Sequence, residues 1–449
     1  MNGAGRSSED SRQVVHVAMG GLALLLRFLT PWQAAVIAAG AIAFNLFALP
    51  RLAGALYRPG EVRRRLFSGI VLYPVAVLLL IVAFPDRRDI VASAWGILAF
   101  GDGMATLAGR HIASPRLPWN PEKSVAGSAA FVLFGGAAGS FLCWWCRPTV
   151  IPPAYEWFSI WMPWVAAIAS AAVETIPIRL NDNVSVPAVA SAVLWWTSLV
   201  SEDLAAAAAS NAWRLLPFAF AANATIAAAG YVARTVTVPG AICGMFIGVT
   251  VVVTCGWGAW SLLLATFAVA VVTSRLGLSR KLMLGIAEGR GGRRGAGNAI
   301  ANTGVAAIAA MLSALTYAGD ASRLAFVTAL AAGGSDTVAS EIGKAWGRRT
   351  RLVPTLAHVP PGTPGAISAE GTAAGLVGAL ALAALGSAVH LIPVSMLPIV
   401  VIAATIGSFA ESVMGATLEP AGIVNNDVLN FANTAIAALA AIFLVEALK

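Results

Sequence analysis

A short stretch at residues 101–124, GDGMATLAGRHIASPRLPWNPEKS, sets an aspartate, a basic Pro-rich loop and a Lys-Ser pair between two apolar runs. Ionisable side chains near hydrocarbon cost on the order of 2.5–3.5 kcal/mol each, so where they persist they usually mark a site. Three acids of this half, Asp102, Glu174 and Asp182, offer hard oxygen ligands of the kind Mg²⁺ takes alongside the phosphates of a substrate. Arg110, Arg116 and Lys123, with Arg64 or Arg65 upstream, supply charge to neutralise a polyphosphate. Ser124 and Gly127 open the next helix, where free backbone N–H groups favour an anion. Metal, cations and a helix N-terminus around one phosphate chain are the parts of phosphoryl or nucleotidyl transfer. No GxxxxGK[ST] loop is present, so a nucleotide must be held by other means. Plainer readings stand beside these: Asp102 as a helix cap, Arg110 and Arg116 as topology anchors, Lys123-Ser124 as an ordinary helix start. His16, after Arg12 at the head of the first apolar run, and Asn120 within the loop are further candidates.

A second polar stretch, GGSDTVASEIGKAWGRR, occupies residues 333–349. The acids of this half are Asp336, Glu341, Glu411 and Asp427, with Asp336 and Asp427 read as metal ligands. Its cations are Arg293, Arg294, Lys344, Arg348 and Arg349. Residues 359–368, VPPGTPGAIS, bring Gly362 and Gly365 close to Ser368, and closely spaced glycines let backbone amides approach phosphate oxygens. The plain alternative is a rigid turn between helices. Asn298, Asn302, Asn426, Asn430 and Asn433 lie near or within apolar runs, where an amide needs a partner from another helix or a ligand. His111 and His358, in basic loops, are read as bystanders, and His390, on the opposite face, as structural.

The elements that must position these groups are membrane helices. The chain is 58% hydrophobic and 11% charged, against about 25% charged in soluble domains, which makes it polytopic in a membrane. Residues 1–10 are polar and of mixed charge, unlike a signal peptide, so the first apolar run is read as mature structure. Its net charge of +8 is spread between apolar runs rather than gathered in one solvated block, which argues against nucleic acid as a partner. The Cys143-x-x-Cys146 pair stands alone, and with Cys243 and Cys255 it is read as packing.

A spanning helix needs about 20 apolar residues, and runs of that kind predict an all-α fold of about 14–15 transmembrane helices. With the N-terminus inside, the loops 51–65, 110–123, 174–183, 275–294, 344–365 and 411–427 all fall on the cytoplasmic face of the inner or plasma membrane, and most are strongly basic. Both polar stretches then share that face. The halves also match: Asp102-x-x-Ala105-x-x-x-Gly109-Arg110 parallels Asp336-x-x-Ala339-x-x-x-Gly343-Lys344, with acids following in the same order. This pattern predicts two related bundles, 1–205 and 206–449.

Residues 12–200 resemble the CTP-dependent phytol kinase branch of the dolichol kinase and phosphatidate cytidylyltransferase group. The residues that carry this are Arg12-Gln-Val-Val-His16, Ser68-Gly69, Tyr73-Pro74, Gly101-Asp102-Gly103-Met104-Ala105, Leu117-Pro-Trp-Asn-Pro-Glu-Lys-Ser124, Glu174, Asp182-Asn183 and Pro187. Gln13 departs from the usual Lys. Residues 213–447 resemble the membrane family that includes phytyl-phosphate kinases, through Gly292-Arg-Arg294, Ala301-Asn302, Asp336-Thr-x-Ala-Ser-Glu-Ile-Gly343 and Val359-Pro-x-Gly362-Thr-x-Gly365. Gly407-Ser408 with Glu411, Asn430-Phe431 and Asn433-Thr434 complete that likeness, while Pro364 and Ala366 replace the usual Asn and Gly.

The resemblances imply a bifunctional isoprenoid salvage enzyme that phosphorylates a prenol to its monophosphate and then to the diphosphate, with CTP as donor and Mg²⁺ as cofactor. An alcohol must lose a proton as it attacks, so the first half needs a general base, Asp102 first and Asp182 second. A phosphate monoester is already largely ionised, with a second pKa near about 6, so the second half needs cations instead. A phospholipid cytidylyltransferase shares the Asp and Lys-Ser features, and a repeat-built transporter is the rival of another class. Transporter repeats hold their sites near mid-bilayer, whereas these polar stretches lie at one membrane edge.

Overall fold

The computed structural model describes residues 3–52, 68–151, 153–177, 180–287 and 292–448, and Arg64 and Arg65 lie outside them. The chain forms two compact units, Met1–Leu199 and Val200–Lys449. Helices of the first unit are α1 (Gly3–Gly20), α2 (Pro31–Ala43), α3 (Leu49–Leu52), α4 (Gly69–Ala83), α5 (Arg88–Gly96), α6 (Gly103–His111), α7 (Val125–Cys146), α8 (Glu156–Glu174) and α9 (Asp182–Ser198). Those of the second are α10 (Glu202–Val232), α11 (Val238–Arg275), α12 (Leu278–Met283), α13 (Ala296–Leu315), α14 (Gly319–Trp346), α15 (Ala369–Ala388), α16 (Leu397–Thr417) and α17 (Asn426–Ala447). Besides the helices, each unit has one two-stranded antiparallel ribbon, β1 (Arg116–Leu117) with β2 (Asn120–Ser124), and β3 (Arg351–Leu352) with β4 (Ala366–Ile367).

Among the described residues, ten helices are long and apolar enough to cross a membrane. The other apolar runs fail one limit or another for local reasons. Helix α4 has 15 residues and α9 has 17. The runs at 236–256 and 258–274 count together in α11, where Gly256 breaks the helix at φ 80°. That backbone angle suits glycine because it has no Cβ to collide with the preceding carbonyl. Helix α14 carries Asp320, Arg323, Asp336, Glu341 and Lys344, which lower its hydropathy.

Burial singles out one central helix in each unit. In the first, α5 continues through a π-helical segment, Ile97–Asp102, into α6, and every residue from Asp89 to Ala99 is buried. A π-turn inserts an extra residue into the helical ladder and recurs at functional positions. Here the segment ends on Asp102. In the second unit, α14 is buried continuously from Leu324 to Ser335, the residue before Asp336. Each core is a layer of small and branched side chains around that helix, from Ile90, Leu98, Phe131 and Ala166 in one unit and Leu262, Phe326, Leu330 and Ala403 in the other. Cys143 and Cys146 are buried free thiols within the first core, as packing residues would be.

A tight crossing next to each aspartate follows from glycine spacing. Ser124 caps α7 by accepting a hydrogen bond from Gly127 N–H at 3.2 Å, and Ser368 caps α15 by accepting from Gly371 N–H at 3.1 Å. A Cβ on Gly127 would stand 3.0 Å from the Ala105 carbonyl oxygen, and one on Gly371 would stand 2.6 Å from that of Ala339. Overpacking a contact of this kind costs about 1–3 kcal/mol. Gly371→Ala should therefore lower the thermal unfolding midpoint in detergent, whereas Gly244→Ala, with nothing within 4 Å of the new methyl, should leave it at the wild-type value. Equal midpoints for the two variants would show that α14 and α15 do not cross this closely.

Candidate functional site

In the first unit the aspartate at the end of the π-segment meets three other charged residues. Lys123 arrives on β2, Glu174 is the last residue of α8, and Asp182 is the first residue of α9. Lys123 Nζ lies 2.5 Å from Glu174 Oε1 and 3.3 Å from Asp182 Oδ2. Carboxylate oxygens of Asp102, Glu174 and Asp182 all lie within 4.8 Å of one another. Three hard oxygen donors at that separation suit one divalent cation, with Mg²⁺ the natural occupant beside a phosphate. Burial opposes the charge on Lys123, but the carboxylates of Glu174 and Asp182 outweigh it and hold the ammonium above the usual lysine range. Lys123 is thus a cation at any physiological pH and no candidate for a base.

Asn120 positions this lysine rather than meeting a ligand. Its amide donates to the Thr175 carbonyl at 3.1 Å, and its side-chain oxygen accepts from Glu122 N–H, which pins the ribbon to the end of α8. His16 Nε2 sits 3.5 Å from Asp102 Oδ2 and 3.3 Å from the Leu98 carbonyl oxygen. Its ring stands edge-on to Tyr73, whose hydroxyl accepts the Trp95 indole N–H at 2.8 Å. Asn183 donates to the Gly69 carbonyl at 3.2 Å. His16, Asp102, Asp182 and Asn183 border a cavity of about 790 Å³ that is otherwise largely apolar, with Leu22, Leu29, Ile37, Phe44, Val77 and Ile81 among its walls.

Two expectations change here. Arg110 is engaged by Asp10 of α1 at 2.9 Å, and the same carboxylate takes His111 at 3.1 Å, so this arginine braces α6 and does not border the cavity among the described residues. Ser124 and Gly127 are both buried and bonded to each other, which makes them a helix cap.

The second unit gathers its residues around a more polar cavity of about 480 Å³. Helix α14 supplies Asp336, Glu341 and Lys344, the segment leading into α13 supplies Arg294, α13 supplies Asn298 and Asn302, and α16 and α17 supply Ser408, Glu411, Asn426 and Asn430. The loop residues Gly362, Gly365 and Ser368 border it too. Gly362 at φ 86° and Gly365 at φ 73° take backbone angles that other residues avoid, and a Cβ on Gly365 would stand 2.3 Å from the Ser412 carbonyl oxygen. Arg294 donates to Asn298 Oδ1 at 3.1 Å and to Ser274 Oγ at 3.3 Å. Arg293, Arg348 and Arg349 are exposed and stand outside the lining among the described residues.

Asp427 also stands outside it. The helix turns about 100° between successive residues, so when Asn426 faces the cavity Asp427 does not; its Oδ2 lies 2.3 Å from where Gly297 would carry a Cβ. The expected pairing of Asp336 with Asp427 is replaced by a contact between Asp336 and Glu411, whose carboxyls lie within hydrogen-bonding reach.

Sequence reasoning passed over Lys281, which is 1% exposed and bonds Glu341 and the Ser274 carbonyl oxygen. Glu341 also pairs with Lys344 at 3.2 Å, so it is bracketed by two ammonium groups. Lys281 sits in a basic loop that reads as a topology signal, and only its burial sets it apart. Glu419 was also missed; it borders the cavity, and burial pushes its carboxyl above the ordinary range.

Helices of this number and apolarity define an integral membrane protein. Residues 221–438 match the DUF92 integral membrane protein family, and the chain belongs to that family. It is 39% identical to an uncharacterized membrane protein of Synechocystis over 44% of this chain and 77% of that one. It is 35% identical to Protein VTE6, chloroplastic, of Arabidopsis thaliana over 42% of this chain and 60% of that protein. It is 28% identical to a probable phytol kinase, chloroplastic, of Triticum aestivum over 30% of this chain and 46% of that protein. The matches to these two plant proteins thus span less than two thirds of either. No solved structure matches the chain.

The buried end of the Lys123–Glu174 pair allows a direct test. Removing one partner of a buried ion pair strands a charge at a cost of about 3–5 kcal/mol, and the partial exposure of Lys123 puts this case toward the lower end. Lys123→Met should lower the unfolding midpoint in detergent, and Lys123→Met/Glu174→Gln should recover most of the loss. A single variant as stable as wild type would mean that the ribbon is held by Asn120 alone.

Proposed function

We propose that the chain is a bifunctional isoprenoid kinase that carries a prenol of the phytol type to its monophosphate in the first unit and to the diphosphate in the second. CTP is the phosphate donor in both steps, and both sites face the cytoplasm. The observation that carries this reading is the cluster of Asp102, Glu174, Asp182 and Lys123 beside an apolar cavity large enough for a lipid chain. Relatives named phytol kinase, in wheat and in Arabidopsis thaliana, support the same class of substrate.

The prenol tail lies among the apolar walls, and its hydroxyl meets Asp102 and His16. The hydroxyl oxygen forms a bond to the γ-phosphorus of CTP, the bond from that phosphorus to the β–γ bridging oxygen breaks, and CDP leaves. Asp102, with His16 at 3.5 Å, accepts the proton of the alcohol. Lys123 stays charged and neutralises phosphate oxygens. A Mg²⁺ ion held by Asp102, Glu174 and Asp182 would neutralise the remaining phosphate charge. In the second unit the attacking group is a phosphate monoester, already ionised at neutral pH, so binding and alignment matter more than proton removal. Arg294, Lys344 and the backbone of the 362–368 loop hold the two anions together.

The test incubates a prenol with CTP labelled on its γ-phosphate and purified protein in detergent. Wild type should yield labelled monophosphate, then diphosphate, with CDP as the second product. Asp102→Asn should make nothing from prenol yet still convert added prenyl monophosphate, and Asp336→Asn should accumulate monophosphate. Diphosphate made at the wild-type rate by Asp336→Asn would refute the division of labour, and pyrophosphate release in place of CDP would identify a cytidylyltransferase.

A further inference from the structure

The floor of the second cavity holds polar atoms that nothing in the protein satisfies. Ser408 and Glu411 are three residues apart on α16, hence on one face of that helix, and both border the cavity. Asn433 on α17 is 1% exposed, and its Oδ1 lies 2.5 Å from where Gly407 would carry a Cβ. The amide is therefore aimed at the turn of α16 that bears Ser408 and Glu411, and only a glycine at 407 lets it approach so closely. Ser408 Oγ, Glu411 Oε2 and Asn433 Oδ1 are buried without a hydrogen-bond partner, while the Asn433 N–H side of the amide lies toward the Glu411 carboxyl. Each such group left unsatisfied costs about 1–3 kcal/mol. Several gathered around one turn mean that something absent from the chain itself completes them.

The adjoining acid indicates what that is. The carboxyls of Asp336 and Glu411 lie within hydrogen-bonding reach, and two carboxylates so placed repel unless a proton or a cation stands between them. A proton would settle that pair but leave Ser408 Oγ and Asn433 Oδ1 unsatisfied. A cation coordinated by oxygen settles these oxygens at once and leaves the Asn433 N–H to the Glu411 carboxyl. We propose that Asp336, Glu411, Ser408 and Asn433 form a divalent-cation site in the second unit, built from two carboxylates and two neutral oxygens. Such a donor set is hard and suits Mg²⁺ or Mn²⁺, with open positions left for phosphate oxygens. It differs from the three carboxylates of the first unit and excludes Asp427. The site deepens the kinase reading, which supplies the phosphate, but its donors are protein atoms alone.

The experiment counts Mn²⁺ bound to the full-length protein in detergent by electron paramagnetic resonance, with neither nucleotide nor lipid present. Glu411→Gln and Asn433→Leu should each bind one Mn²⁺ fewer than wild type, or bind it about tenfold or more weakly. Asn433→Asp, which replaces the amide oxygen by a carboxylate, should retain the site, and Mg²⁺ should raise its unfolding midpoint and that of wild type alike. Unchanged Mn²⁺ stoichiometry and affinity in both Glu411→Gln and Asn433→Leu would overturn the proposal and leave a shared proton as the link between Asp336 and Glu411. Loss of Mn²⁺ from Asn433→Asp would overturn it as well. Because no CTP is present, failure here is separate from failure of the kinase assay: absent turnover in a protein that binds both ions counts against the kinase reading alone.

Discussion

A carboxylate carried on the most enclosed helix of a membrane bundle constrains everything around it. In water an aspartate is solvated at no cost, but at the end of a buried run such as Asp89–Ala99 or Leu324–Ser335 it needs charge or hydrogen bonds brought to it. The first unit brings Lys123 on a ribbon pinned by Asn120, with Glu174 and Asp182 from the ends of two further helices. Asp102, Lys123 and the Glu174–Asp182 pair come from three separate stretches of the chain, so the bundle must fold before the cluster exists. The reverse also holds: the Lys123 ammonium ties the end of α8 to the start of α9.

The ribbon can reach the central helix because the crossing helix approaches without side chains in the way. Ser124 and Gly127 in one unit, and Ser368 and Gly371 in the other, close a helix cap against the backbone of Ala105 and Ala339. The same four-residue cap therefore stands beside Asp102 and beside Asp336. In each case it brings the residue before the serine to the site, Lys123 to the carboxylates of the first unit and Ile367 to the cavity wall of the second.

Much of this was legible in the sequence because charge is rare in it. Asp102, Lys123, Glu174 and Asp182 stand out among apolar residues, and the structure gathers them. So do Asp336, Glu341, Lys344, Glu411 and the 362–368 loop, which border one cavity. What could not be read was direction. Arg110 has the same composition signal as Lys123, yet it turns to Asp10, and Asp427 turns away where its neighbour Asn426 turns in. Lys281 was hidden by a different effect, since in a loop already rich in basic residues one more lysine adds no contrast. Helix count blurred for a third reason: a membrane helix shielded by its neighbours, such as α14, tolerates polar residues that hydropathy penalises.

The replacement of Lys123 by Ile367 at the matching place in the cap has consequences for the whole second site. Its cations must come from elsewhere, and they do: Lys344 from the central helix itself and Lys281 from α12, both on Glu341. In the first unit the residue at the position of Lys344 is Arg110, which is spent on Asp10. With no lysine to deliver, the segment before Ser368 is free to run as a glycine-bearing loop whose backbone faces the cavity at Gly362 and Gly365. One unit therefore presents a charged side chain on a ribbon, the other glycine backbone and helix-borne cations. On the proposed kinase reading, the first arrangement would set a single charge against a short stretch of phosphate, and the second would spread donors over the broader anionic surface of two phosphorylated substrates.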